Sequence, residues 1–121
     1  MPVLGATSLL IATILATVCI SRAEPAYISE LVASNSGHFL DGDGNASDWI
    51  EIHNPNPSPL NISGYHLTDD PLQPGKWSFP QGTVMQAGEY LVIIASGQQE
   101  ADHLDAEDYL HTNFSLNDSG E

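Results

Sequence analysis

From Tyr27 onward the apolar positions fall in short runs separated by clusters of Gly, Pro, Asn, Asp and Ser, a spacing that predicts an all-β sandwich or barrel rather than helices. Residues 27–33 predict a first strand with Ile28 and Val32 turned inward. Residues 48–53 alternate strictly, with Ile50 and Ile52 on one face and Trp49, Glu51 and His53 on the other. Three prolines within residues 55–59 preclude a central strand there. A strand resumes over 60–67, the segments 76–79 and 83–85 flank a turn at Pro80-Gln81-Gly82, and 110–116 make the last strand. The continuous run Tyr-Leu-Val-Ile-Ile-Ala at 90–95 predicts a strand buried on both faces. Between these last two, residues 98–108 carry five acids and Leu104 as the single large apolar side chain, which reads as a solvated loop with room for one helical turn.

The first 23 residues follow a different pattern. Residues 3–20 are an apolar run interrupted by Gly5 and hydroxyl residues, and Ser21-Arg22-Ala23 then offers small residues at the two positions a signal peptidase inspects. This predicts an N-terminal hydrophobic signal helix over 1–23 and a mature chain that starts near Glu24, secreted or held at the cell surface. No Lys or Arg precedes the run. An uncleaved anchor is the alternative, since about 18 apolar residues is the lower limit for spanning a bilayer.

Composition narrows the function classes. A chain of 121 residues has room for one domain, and its 16 acidic residues against two basic ones leave a formal charge of −14. Past Ala23 the only basic side chain is Lys76, too little to neutralise phosphates, so nucleic acid is excluded as a partner and anionic lipid disfavoured beyond the N-terminal anchor. Cys19 is the single cysteine and lies in the leader, which removes disulfide scaffolds and Cys-based zinc sites from the domain. Such a surface restricts partners to neutral or cationic ones, an unknown protein or a cell-surface polymer.

The most suggestive local pattern is Asp41-Gly42-Asp43-Gly44-Asn45-Ala46-Ser47-Asp48, where Asp41, Asp43, Asn45 and Asp48 place oxygen ligands at the spacing of a calcium loop. It departs from the EF-hand at Ala46, where a sharp turn needs Gly, and at Ile52, where a bidentate Glu belongs. A polar turn between two strands accounts for the same residues. Five histidines occur without His-x-His or HExxH spacing, although His53 and His66 lie where strands could bring them together. There is no GxSxG elbow and no nucleophile and base that can be paired by position, so no catalytic residue is assigned and the chain is read as a non-enzyme. Trp49, Trp77, Tyr65 and Tyr90 offer aromatic surface for sugars, against which stands core packing, most directly for Trp77 beside Phe79.

Several segments in order resemble the lamin tail domain. Ile28-Ser29-Glu30-Leu31-Val32-Ala33-Ser34-Asn35 is similar to its opening strand, Ser47-Asp48-Trp49-Ile50-Glu51-Ile52-His53-Asn54-Pro55 to its "DWIEIxNP" signature, and Leu60-Asn61-Ile62-Ser63-Gly64-Tyr65-His66-Leu67-Thr68-Asp69-Asp70 to its "dLSGwxLtD" strand. Lys76-Trp77-Ser78-Phe79-Pro80, Gly88-Glu89-Tyr90-Leu91-Val92 and His111-Thr112-Asn113-Phe114-Ser115-Leu116 extend the match. The resemblance implies an immunoglobulin-like β-sandwich over 27–121, of the type found in secreted bacterial proteins, that is structural or binding rather than catalytic. Family members usually continue past a Ser-Gly-Glu such as Ser119-Gly120-Glu121 into a further strand and hairpin, so the resemblance also implies a domain incomplete at its C-terminus and a larger parent protein, any catalysis lying past Glu121. An adhesion or carbohydrate-binding domain that uses calcium at Asp41, Asp43, Asn45 and Asp48 is the alternative reading.

Overall fold

A computed structural model describes residues 22–98 and 104–116. Within them every regular element is a strand, in agreement with the all-β expectation. Of the signal helix read over residues 1–23, residues 1–21 lie outside the described part, and Arg22 and Ala23 belong to no regular element.

In chain order the strands are β1 (Tyr27–Val32), β2 (Asp48–His53), β3 (Leu60–Asn61), β4 (His66–Leu67), β5 (Trp77–Ser78), β6 (Val84–Met85), β7 (Tyr90–Ala95) and β8 (Leu110–His111). One four-stranded sheet runs β1-β2-β7-β8, antiparallel except for the parallel β7–β8 pair, and two ribbons, β3-β6 and β4-β5, accompany it. The alternation read at 48–53 sets the layers. Ile50 and Ile52 turn to the inner face, 3% and 5% exposed, and pack with Ile93 and Ala95 of β7 against Ile62, Trp77, Phe79 and Met85 from the ribbon side, with Phe114 closing the cluster. Trp77 and Phe79 meet edge to face at 4.8 Å, so this aromatic pair belongs to the core.

Three expectations need correction. The segment 60–67 is two strands, not one, because the chain turns at Gly64 (φ +74°), whose N–H donates to the Phe79 carbonyl while the Tyr65 N–H donates to Ile62. In β1, Ile28 and Val32 do not share a face. A bulge between Ile28 and Glu30 inserts one residue, so Ile28 pairs with Ile52 on the inner side while Val32 pairs with Trp49 on the outer side, and Leu31 takes the inward position instead. Finally, β7 is buried on both faces only from Ile93 onward; Tyr90 is 57% exposed because no described strand continues the sheet beside it.

Immediately after β2 the proline-rich segment is anchored by a residue that the strand pattern leaves unremarked. Asn54 is wholly buried. Its Nδ2 donates to the carbonyls of Ser58 at 3.1 Å and Gln86 at 2.8 Å, and its Oδ1 accepts from the Asn56 backbone N–H at 3.0 Å and from Asn56 Nδ2 at 2.7 Å. This single amide therefore supplies the hydrogen bonds that prolines at 55, 57 and 59 cannot donate.

Candidate functional site: the polar network at the loop end

The connection from β1 to β2 ends in the Asp- and Gly-rich turn singled out above. Asp41 is 5% exposed and organises it. Its Oδ1 accepts the backbone N–H groups of Asp43 at 3.1 Å and Asn45 at 2.8 Å, and its Oδ2 accepts the Ser47 hydroxyl at 2.8 Å. The backbone adds two further bonds, Asp41 N–H to the Asn45 carbonyl and Gly44 N–H to the Asp41 carbonyl. An aspartate side chain that accepts from the residue two positions on is the usual reason for Asp at the start of a turn.

The four oxygen-bearing residues proposed for calcium are thus differently employed. Asp41 faces the turn's own donors, Asp43 and Asn45 stand exposed at its rim, and Asp48, the first residue of β2, accepts the Asn35 N–H at 3.3 Å. Among the described residues, no group of three or more His, Cys, Asp or Glu side chains is placed to hold a metal ion. His53 and His66 do not pair: His53 Nδ1 lies 2.9 Å from the Tyr27 hydroxyl, and His66 Nδ1 lies 2.8 Å from the Ser78 hydroxyl on β5.

Behind the turn the fold assembles something position along the chain does not reveal. The Gly42 N–H donates to Asp105 Oδ2 at 2.7 Å, and Asp105 Oδ1 accepts the N–H groups of Glu107 at 2.9 Å and Tyr109 at 3.0 Å. His111 Nε2 lies 3.0 Å from Asp105 Oδ2, with both side chains fully shielded from solvent. On its other edge, His111 Nδ1 is 2.7 Å from the Ser96 hydroxyl and 3.4 Å from Gln98 Nε2. Burial alone would push the Asp105 carboxyl up, but the His111 hydrogen bond and the N–H groups of Tyr109, Gly42 and Glu107 outweigh it and hold the carboxyl below its ordinary range. The ionised carboxylate accepts a hydrogen bond from His111 Nε2, and the opposite ring nitrogen meets the Ser96 hydroxyl and the Gln98 amide.

Serine, histidine and aspartate in this order are the parts of a nucleophile, a base and an orienting acid. The surroundings give them a different task. The Gly97 N–H, the amide next to the hydroxyl that would otherwise be available to stabilise an oxyanion, donates to the Phe114 carbonyl at 3.0 Å. Ser96 itself bridges Ser115, and the imidazole is sealed. What the trio does is bind three segments together: the turn at Gly42, the loop at 105–109, and the ends of β7 and β8.

The loop end of the sandwich is thus closed by a polar network that joins the β1–β2 turn, the 105–109 loop and the ends of β7 and β8. The chain belongs to the lamin tail domain family, whose profile matches residues 26–121 and whose members are non-enzymatic immunoglobulin-like modules. No curated protein and no solved structure matches it.

Proposed function

We propose that this chain is a non-catalytic extracellular interaction module, the N-terminal part of a larger secreted bacterial protein. The observation that carries this reading is the family match over residues 26–121, to which the consumed Gly97 amide adds a local reason for the lack of chemistry at Ser96. Export is supported by the apolar leader before Arg22 and Ala23, and an acidic, cysteine-free surface suits a salty exterior. The test is expression of the tagged chain in a bacterial host. Export predicts protein in the culture fluid or accessible to added protease, beginning near Glu24 by N-terminal sequencing. Retention inside the cytoplasm overturns the localisation, and hydrolysis of ester, phosphate or glycoside substrates by purified protein overturns the non-catalytic role.

The second reading, adhesion through calcium, is favoured by one feature: the Asp41 turn presents Asp43 and Asn45 outward on a well-anchored loop. A rise in melting temperature with calcium that Asp43→Ala abolishes supports it; an unchanged melt removes it.

A further inference from the structure

The junction at which a signal peptidase is expected to cut, between Ala23 and Glu24, lies against the folded domain. One side chain holds both backbone groups of Glu24: its N–H donates to Asn56 Oδ1 at 2.8 Å, and its carbonyl accepts from Asn56 Nδ2 at 2.7 Å. Asn56 is 7% exposed and is fixed in turn by the buried Asn54, whose Oδ1 accepts both the Asn56 N–H and its Nδ2. Two residues past Glu24, Ala26 packs against the hydrophobic core, and β1 opens at Tyr27. Arg22 and Ala23 border a hollow of about 460 Å³ together with Leu60 and Tyr65.

A side-chain amide paired in this way imitates a neighbouring strand, giving one acceptor and one donor to a single residue. A peptidase that reads an extended chain competes for the same groups. Main-chain hydrogen bonds supply the affinity in strand-type recognition, and the Glu24 nitrogen is the amine that must leave when the bond breaks. Residues 24–26 span at most about 11 Å when fully extended, so the bond cannot swing clear of the domain while Asn56 and the Ala26 contact hold.

We propose that Asn56 governs removal of the leader, a role that rests on the export reading: it closes the Ala23–Glu24 bond to hydrolysis when the domain has folded, and it captures the new N-terminus when the bond has been cut. Hydrolysis adds water across the bond, leaving a carboxylate on Ala23 and an ammonium on Glu24. The ammonium stays beside Asn56 Oδ1, where the hydrogen bond becomes charge-assisted and stronger. A chain cut while still unfolded is released, whereas a chain that folds first keeps its leader. Asn56 thereby sets the balance between secreted and membrane-held forms.

The experiment incubates the full chain, leader included, with a purified signal peptidase in detergent micelles and follows cleavage by mass and N-terminal sequence. An insert that repeats residues 24–26 and adds Gly-Ser, placed before Glu24, keeps the sequence around the bond while moving it away from Asn56. The insert chain and Asn56→Ala should both be cut about ten-fold or more faster than the unaltered chain, the factor expected from two hydrogen bonds. Ile93→Ala, which weakens the core and leaves the clamp intact, should be cut at the unaltered rate. In the cut product the Glu24 amine should react with an acetylating ester several-fold more slowly than in Asn56→Ala. Equal rates for the insert and unaltered chains, or Ile93→Ala cut as fast as Asn56→Ala, overturn the control by Asn56, and equal amine reactivity removes the capture. Should Asn56→Ala fail to fold, the insert chain decides, because it retains Asn56. If neither the unaltered nor the insert chain is cut, the export reading itself fails and takes this role with it.

Discussion

Asp105 and His111 form an ion-pair geometry at 3.0 Å that no solvent reaches, and it ties the acidic loop after β7 to the strand that follows it. Because the same carboxylate takes the Gly42 N–H, one buried group joins the two longest loops at this end of the sandwich.

Removing the Asp105 carboxylate takes the shared acceptor away from His111 Nε2 and from the N–H groups of Gly42, Glu107 and Tyr109 at once. Asp105→Ala should therefore destabilise the domain by about 3–5 kcal/mol, read as a lower urea midpoint. Ser96→Ala removes one hydrogen bond to the imidazole and should cost only about 1 kcal/mol. A serine-directed fluorophosphonate should not label Ser96; a stoichiometric adduct there would contradict the structural role.

Acid should act through the same carboxylate. Its pKa is lower in the folded chain than in the unfolded one, so its contribution to stability is complete above the unfolded value of about 4 and fades as pH falls through the folded value. Urea midpoints measured from pH 7 to pH 2 should drop in that acidic window, and the part of the drop owed to this group should be missing in Asp105→Asn.

Gly42 is required by closeness, not by turn conformation. A Cβ at this position would overlap an Asp105 carboxylate oxygen and the Glu107 backbone nitrogen. Gly42→Ala should cost about 2 kcal/mol or more by thermal denaturation, as overpacking against backbone does. Gly44, with φ +83° and open space around it, should respond to alanine through backbone strain alone.

Asn54→Leu keeps the volume and removes the amide. The Ser58 carbonyl and the Asn56 backbone N–H then lose their Asn54 partner, while the Gln86 carbonyl keeps the Glu89 N–H, and a loss of about 2–4 kcal/mol is expected, with amide exchange accelerated first in residues 54–59. Ile93→Ala, by contrast, should lower stability by a similar amount through a cavity while leaving exchange in that loop unchanged relative to the rest of the domain.

Local pattern located the long strands well. The alternation at 48–53 placed Ile50 and Ile52 inward, and the apolar run at 90–95 marked β7, because side-chain periodicity and burial act over neighbouring residues. The bulge at Ser29 was not legible, since an extra residue is defined only by the strand it faces, and reading four residues as two full alternations put Val32 on the wrong side. The Asp41 turn was visible as Asp, Gly and Asn; its continuation into Asp105 was not.

By itself the chain dictated its layers, its acidic surface and the turns that punctuate it, since these follow from side-chain polarity and backbone preference residue by residue. Tertiary structure alone decided that Ser96, Asp105 and His111 should meet, that Glu30 should face Glu51, and that Tyr27, His53 and Tyr90 should stand in one row. Those contacts depend on register between strands far apart along the chain, and register is chosen by the collective burial of a core rather than by any residue's neighbours.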